Sequence, residues 1–87
     1  MMYKLFYTAR AKKDAKRVHK SHFKHKVEEL LKMLEENSLK NPPPFEELIE
    51  DLKGAYSRRI NIQHRLVYQI LEEEHIVKVL SMWDHYE

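Results

Sequence analysis

Eighty-seven residues, 43% hydrophobic and 34% charged, carry a formal net charge of +2 and include no cysteine. That balance excludes a disordered chain, a disulfide framework and a thiolate metal site, and the length implies one domain over residues 1–87, near the lower limit for a self-sufficient core. The opening Met1-Met2-Tyr3-Lys4 leads into only a short apolar stretch, so neither a signal-peptide core nor a membrane span is expected, and the reducing cytoplasm is the expected location.

Tyr3, Leu5 and Tyr7 alternate with Lys4, Phe6 and Thr8, the pattern of a short strand. Thr8 is placed to cap a helix running through Ala11, Ala15 and Val18 toward His19, because its hydroxyl can accept from an otherwise unmet N–H. Ser21 interrupts the helical pattern, and a second helix follows in which Phe23, Val27, Leu30, Leu31 and Leu34 form one apolar stripe for the sheet. Asn41-Pro42-Pro43-Pro44 stops the helical region, since proline removes donors and forces its predecessor into extended geometry.

Phe45 to Lys53 has a loose apolar pattern, compatible with a turn of helix or an ordered loop, and Gly54, the only glycine, lets the chain turn into strands. Three strands are predicted at about 56–62, 64–71 and 75–83, joined as an antiparallel meander. The fold class is therefore α+β in the order βααβββ, with two N-terminal helices packed on a small, mainly antiparallel sheet. Trp83 and Tyr56 are expected to pack in the core or hairpin.

Charge is unevenly distributed. From Arg10 to Lys26 eight Lys or Arg stand against Asp14 alone, whereas from Val27 to Leu52 eight acids stand against Lys32 and Lys40. A basic block of this density attracts polyanions by counterion release; its other reading is a solvated helix face. His19, His22 and His25 recur every third residue, but that spacing drifts around a helix and no cysteine or nearby carboxylate completes a ligand shell. They are assigned to the basic surface, and neither a metal nor a cofactor is expected.

A hairpin turning about Ile62 sets Ile60 opposite His64 and Arg59 opposite Arg65. Two cations directly across a ladder repel unless something negative lies over them. A phosphate would serve, since guanidinium offers forked donors to its oxygens; so would a structural ion pair with Glu46, Glu47 or Asp84. Metal-free RNA cleavage needs a base for the 2′-hydroxyl proton, a cation for the phosphate and an acid for the departing 5′-oxygen. His85 at the end of the last strand suits the acid, Tyr86 suits base stacking or hydroxyl donation, and a carboxylate such as Glu46 suits the base. A frayed terminus is the other reading of His85 and Tyr86.

Leu48, the run Leu52-x-Gly54-x-Tyr56-Ser57-Arg58-Arg59-Ile60, the segment His64-Arg65-Leu66-Val67-Tyr68 and the closing His85-Tyr86 together resemble the YoeB/Txe group of bacterial toxins from type II toxin–antitoxin pairs, within the RelE-like superfamily. The resemblance is close over the second half of the chain; the first half shares only the strand, helix, helix order. It implies a RelE-like, microbial RNase-like fold and an endoribonuclease that cuts messenger RNA in the A site of the translating 70S ribosome, so arresting translation. It implies Glu46, rather than Glu47, as the base, Arg65 as the catalytic arginine, His85 as the general acid and Tyr86 as its neighbour. Arg59, Arg58 and Lys53 would contact RNA phosphate.

The implied partners are messenger RNA, the ribosome and a cognate YefM/Axe-like antitoxin with an acidic amphipathic tail. A homodimer is in keeping with the group, operator DNA would be met only through the antitoxin complex, and no membrane is involved. The competing reading is a non-catalytic ribosome or RNA binder that inhibits translation. A third is a module that mainly supports an antitoxin complex on operator DNA.

Overall fold

Alternation along Lys4–Tyr7 makes strand β1, with Leu5 and Tyr7 turned toward the core and Lys4 and Phe6 exposed. The computed structural model describes residues 2–37, 39–40, 44–48 and 54–83. Thr8 ends β1 and caps helix α1 (Ala9–His19): its Oγ1 accepts from the Ala11 N–H at 3.1 Å and donates to the Leu80 carbonyl at 3.1 Å. One hydroxyl thus closes the helix start and ties it to a distant strand.

Ala11, Asp14 and Val18 are the buried residues of α1, and the rest of the helix is mainly basic. The helix stops at Lys20, and Ser21 Oγ donates to the Val18 carbonyl at 2.7 Å, closing the last turn. Helix α2 (Lys24–Glu36) buries Val27, Leu30 and Leu34, with Leu31 half-buried, which is the stripe read from the sequence. No described helix is long and apolar enough to cross a membrane.

Among the described residues the sheet has five strands, with β2 (Glu46–Leu48), β3 (Ala55–Arg59), β4 (Arg65–Leu71) and β5 (Ile76–Ser81) in the spatial order β1-β5-β4-β3-β2. β1 lies parallel to β5 and the other neighbours are antiparallel. The order is therefore βααββββ, one strand more than predicted. Segment 45–53, read as helix turn or loop, contributes β2, whose three residues pair with β3 at Glu46↔Ser57, Glu47↔Tyr56 and Leu48↔Ala55. So short a strand has no periodicity of its own and exists through that pairing.

The later strands are shorter than expected because local turns claim their ends. Asn61 Oδ1 accepts from the Gln63 and His64 N–H groups, and His75 adopts φ 56° in the turn before β5. Gly54 enters β3 at φ +79°, the left-handed region that glycine reaches without penalty. The main core lies between the helices and one sheet face, where Val27, Leu30 and Leu34 meet Leu66, Tyr68, Val77 and Val79. Tyr56 and Trp83 pack at its margins, as expected.

Candidate active site on the open face of the sheet

The β3–β4 register pairs Arg59 with Arg65, Ser57 with Val67 and Tyr56 with Tyr68. Since side chains alternate between faces, Tyr56, Arg58, Leu66 and Tyr68 share the helix side, and Ser57, Arg59 and Arg65 share the opposite side. Glu46 pairs with Ser57 across β2–β3 and joins them on that open face. Three strands thus deliver a carboxylate, a hydroxyl and two guanidiniums to one patch.

Arg65 is its organising centre. Its Nε and Nη2 both donate to Ser57 Oγ, at 3.1 and 2.9 Å, and Nη2 lies 3.3 Å from Glu46 Oε1. The two charged partners differ in surroundings: the Glu46 side chain is 72% exposed and that of Arg65 only 15%. A half-buried, pinned cation next to a freely hydrated carboxylate presents fixed positive charge and a mobile proton acceptor. Arg59, across the ladder, is exposed and has no hydrogen bond or ion pair among the described residues. The like-charge repulsion expected at this register is therefore only partly offset, by Glu46 on one side. Pro44, Phe45, Glu46, Arg59 and Arg65 line a cleft of about 240 Å³.

Arg58 is not brought to this patch. Alternation turns it inward, where it is fully buried, donates from Nε to Tyr68 Oη at 3.0 Å and from Nη2 to the Lys40 carbonyl at 2.8 Å, and lies 4.9 Å over the Phe45 ring. Its phosphate role, implied by the motif, has no surface to act on here. Burial pushes the Tyr68 hydroxyl pKa up, while the Arg58 guanidinium pulls it down, and burial is the larger effect. Tyr68 therefore remains a neutral phenol able to accept from Arg58.

Lys53, His85 and Tyr86 lie outside the described residues, as does Asp84. The chain is held firmly just before the tail. Met82 is buried and its N–H donates to Asp14 Oδ2 at 3.0 Å. Trp83 packs 4.4 Å from the His64 ring and 5.6 Å from Phe23, with Arg17 5.6 Å over it. His64 immediately precedes Arg65, so Trp83 is fixed beside the start of β4, two residues short of His85.

Two parts of this arrangement escaped the sequence reading. Ser57 stood within the quoted motif without a role, although its position two residues before Arg59 puts it on the same face once the register is known. Asp14, the lone acid in the basic block, is a buried acceptor for the end of β5. Among the described residues no group of three His, Cys, Asp or Glu is placed to hold a metal ion, and His25 lies 3.5 Å from Glu28.

A family model for the YoeB-like toxin of bacterial type II toxin–antitoxin systems matches residues 6–86. Among solved structures, the YoeB/ParE toxin from Agrobacterium tumefaciens superposes with a TM-score of 0.86 at 25% identity, over 95% of this chain and 99% of that one. The YoeB dimer from Staphylococcus aureus gives 0.82 at 32% identity, over 99% and 100%. YafQ from Escherichia coli, at 20% identity and a TM-score of 0.79, over 95% and 93%, shares the fold. No curated protein matches the chain significantly. With the family model spanning nearly the whole sequence and the RelE-like fold in place, this chain belongs to the YoeB-like toxins of bacterial type II toxin–antitoxin systems.

Proposed function

We propose that the chain, acting as one cytoplasmic domain, is a metal-independent endoribonuclease that cleaves messenger RNA in the A site of the ribosome. Glu46 takes the proton of a ribose 2′-hydroxyl, and the resulting alkoxide attacks the adjacent phosphorus. Arg65 and Arg59 stabilise charge on the phosphoryl oxygens, with Lys53 as a further phosphate contact. His85 returns a proton to the departing 5′-oxygen while Tyr86 holds the base. The products are a 2′,3′-cyclic phosphate and a free 5′-hydroxyl, so no water, metal or redox partner is consumed.

The observation that carries this reading is the Glu46–Arg65 pair at 3.3 Å on the face that also presents Arg59. A proton acceptor and cations within reach of one phosphodiester are what the reaction needs. An ion pair retained only for stability would gain little with its carboxylate so exposed.

A YefM-like antitoxin is the proposed inhibitor and a homodimer a proposed assembly, since Staphylococcus aureus YoeB has been solved both as a dimer and in a heterotetrameric complex with YefM. The acidic tail of such a partner would compete with RNA for the basic face of α1. Operator DNA would be reached through that complex.

Mapping messenger RNA ends after incubation with programmed ribosomes tests the reading. Wild type is expected to cut, with His85→Ala and Arg65→Ala each slowed at least about a hundredfold. Translation arrest with intact messenger RNA would instead identify a non-catalytic binder, and harmless expression without the neighbouring antitoxin gene would identify a module that serves only the complex.

A further inference from the structure

Glu46 sits on a three-residue edge strand that has β3 alone as its neighbour, a weak support for a group that must meet a 2′-hydroxyl within a fraction of an ångström. A second support enters from the other side of the sheet. Phe45 is adjacent in sequence, so its side chain points to the helix side while that of Glu46 points to the open face. There the Phe45 ring meets Tyr56 edge-on at 5.6 Å and receives the Arg58 guanidinium at 4.9 Å.

Arg58 is also held by Tyr68 Oη on β4 and by the carbonyl of Lys40, the residue that precedes Asn41 and the proline run in sequence. Its partners thus bracket the approach to β2, with Lys40 upstream and Phe45 at the strand's start. Burying a guanidinium completely is costly, and a core of this size would pack well with an aliphatic side chain. A planar, forked cation can do here what an aliphatic side chain cannot: stack on a ring and donate to separate acceptors at once.

We propose that Arg58 is a positioning residue that clamps Phe45 and the Lys40 carbonyl, and thereby fixes Glu46 beside Arg65 for proton abstraction. This rests on the reading of Glu46 as the base. The clamp acts across the sheet: the fully buried Arg58 orders the strand that carries the carboxylate.

The test measures single-turnover cleavage on programmed ribosomes for Glu46→Gln, Arg58→Lys, Phe45→Leu, Phe45→Tyr and the double variant Phe45→Leu with Glu46→Gln. Arg58→Lys and Phe45→Leu are expected to slow the saturated rate about tenfold to a hundredfold, with half-saturation unchanged, while Phe45→Tyr, which keeps a ring, should recover most of the rate lost in Phe45→Leu. The double variant should be no slower than Glu46→Gln alone, because a misplaced base and an absent base fail at the same step. In the free protein, amide exchange at Glu46 and Leu48, the β2 positions opposite Ser57 and Ala55, should quicken in Phe45→Leu, a readout independent of cleavage and of the fate of the Arg58 variant.

Multiplied losses in the double variant, or a raised half-saturation with an intact rate, would overturn the clamp, the latter by returning Arg58 to RNA contact. Full activity in Arg58→Lys and Phe45→Leu beside a disabled Glu46→Gln would remove the clamp and leave the base standing. A fully active Glu46→Gln would remove both.

Discussion

Ser57 determines what kind of cation Arg65 is. Its hydroxyl accepts two hydrogen bonds from the same guanidinium, which fixes both the direction and the rotation of the fork before any phosphate arrives. Ser57→Ala deletes both while leaving the charge, the fold and the Glu46 pair in place. Its saturated cleavage rate should fall about tenfold or more, the usual consequence of loosening a positioned group. Stability should drop by about 1.5–3 kcal/mol, the range for hydrogen bonds to a charged group. Comparing urea midpoints with single-turnover rates checks this, and parallel losses in both would reduce Ser57 to a packing residue. The same residues show what the sequence made legible. Arg59 opposite Arg65 followed from placing the turn at Ile62, since register alone decides that pairing. Ser57 had no assigned role and Arg58 was read as a phosphate contact, because a single residue of offset separates a side chain that holds the site from one buried behind it.

At the scale of elements, the helices, β1 and the three later strands were legible from patterning such as the α2 stripe, the alternation in β1 and the apolar run of β5. β2 was not, because three residues carry no period and the Leu48-Ile49 pair suits helix or strand equally; its existence depends on the edge that β3 offers. Gly54 is the joint that brings β3 to that edge. At φ +79° a side chain strains the backbone, although a Cβ there would meet the Ile70 carbonyl oxygen no closer than 3.7 Å, an ordinary contact. The penalty in Gly54→Ala is thus conformational and not steric crowding, about 1–2 kcal/mol for a left-handed L-residue. Urea unfolding of the variant should report a loss of that size with an unchanged slope. A loss well beyond it would mean that the Gly54 carbonyl, which accepts from the Ile70 N–H at 3.1 Å, had also been displaced.

For the whole molecule, the small net charge conceals a division between faces. Asp14 accepts from the Met82 N–H, and Arg10, Lys13 and Arg17 outnumber it around a surface cavity of about 350 Å³ on α1 that all four line. Arg17 also lies over the Trp83 ring, so Arg10 and Lys13 are the cations of this cavity most open to a polyanion. Their effect would be electrostatic and remote from the cleft, which separates it from that of the site residues. In Arg10→Gln with Lys13→Gln, half-saturation on ribosomes should rise and the rate at saturation should hold, because both residues lie outside the reacting groups. The dependence of affinity on salt supplies the sharper measure. Removing one cation that neutralises a phosphate should shallow the slope of log affinity against log salt by roughly 0.7 to 0.9, and removing the pair by about 1.5. A slope identical to wild type would mean that Arg10 and Lys13 are merely solvated, and that affinity for RNA resides in other cations.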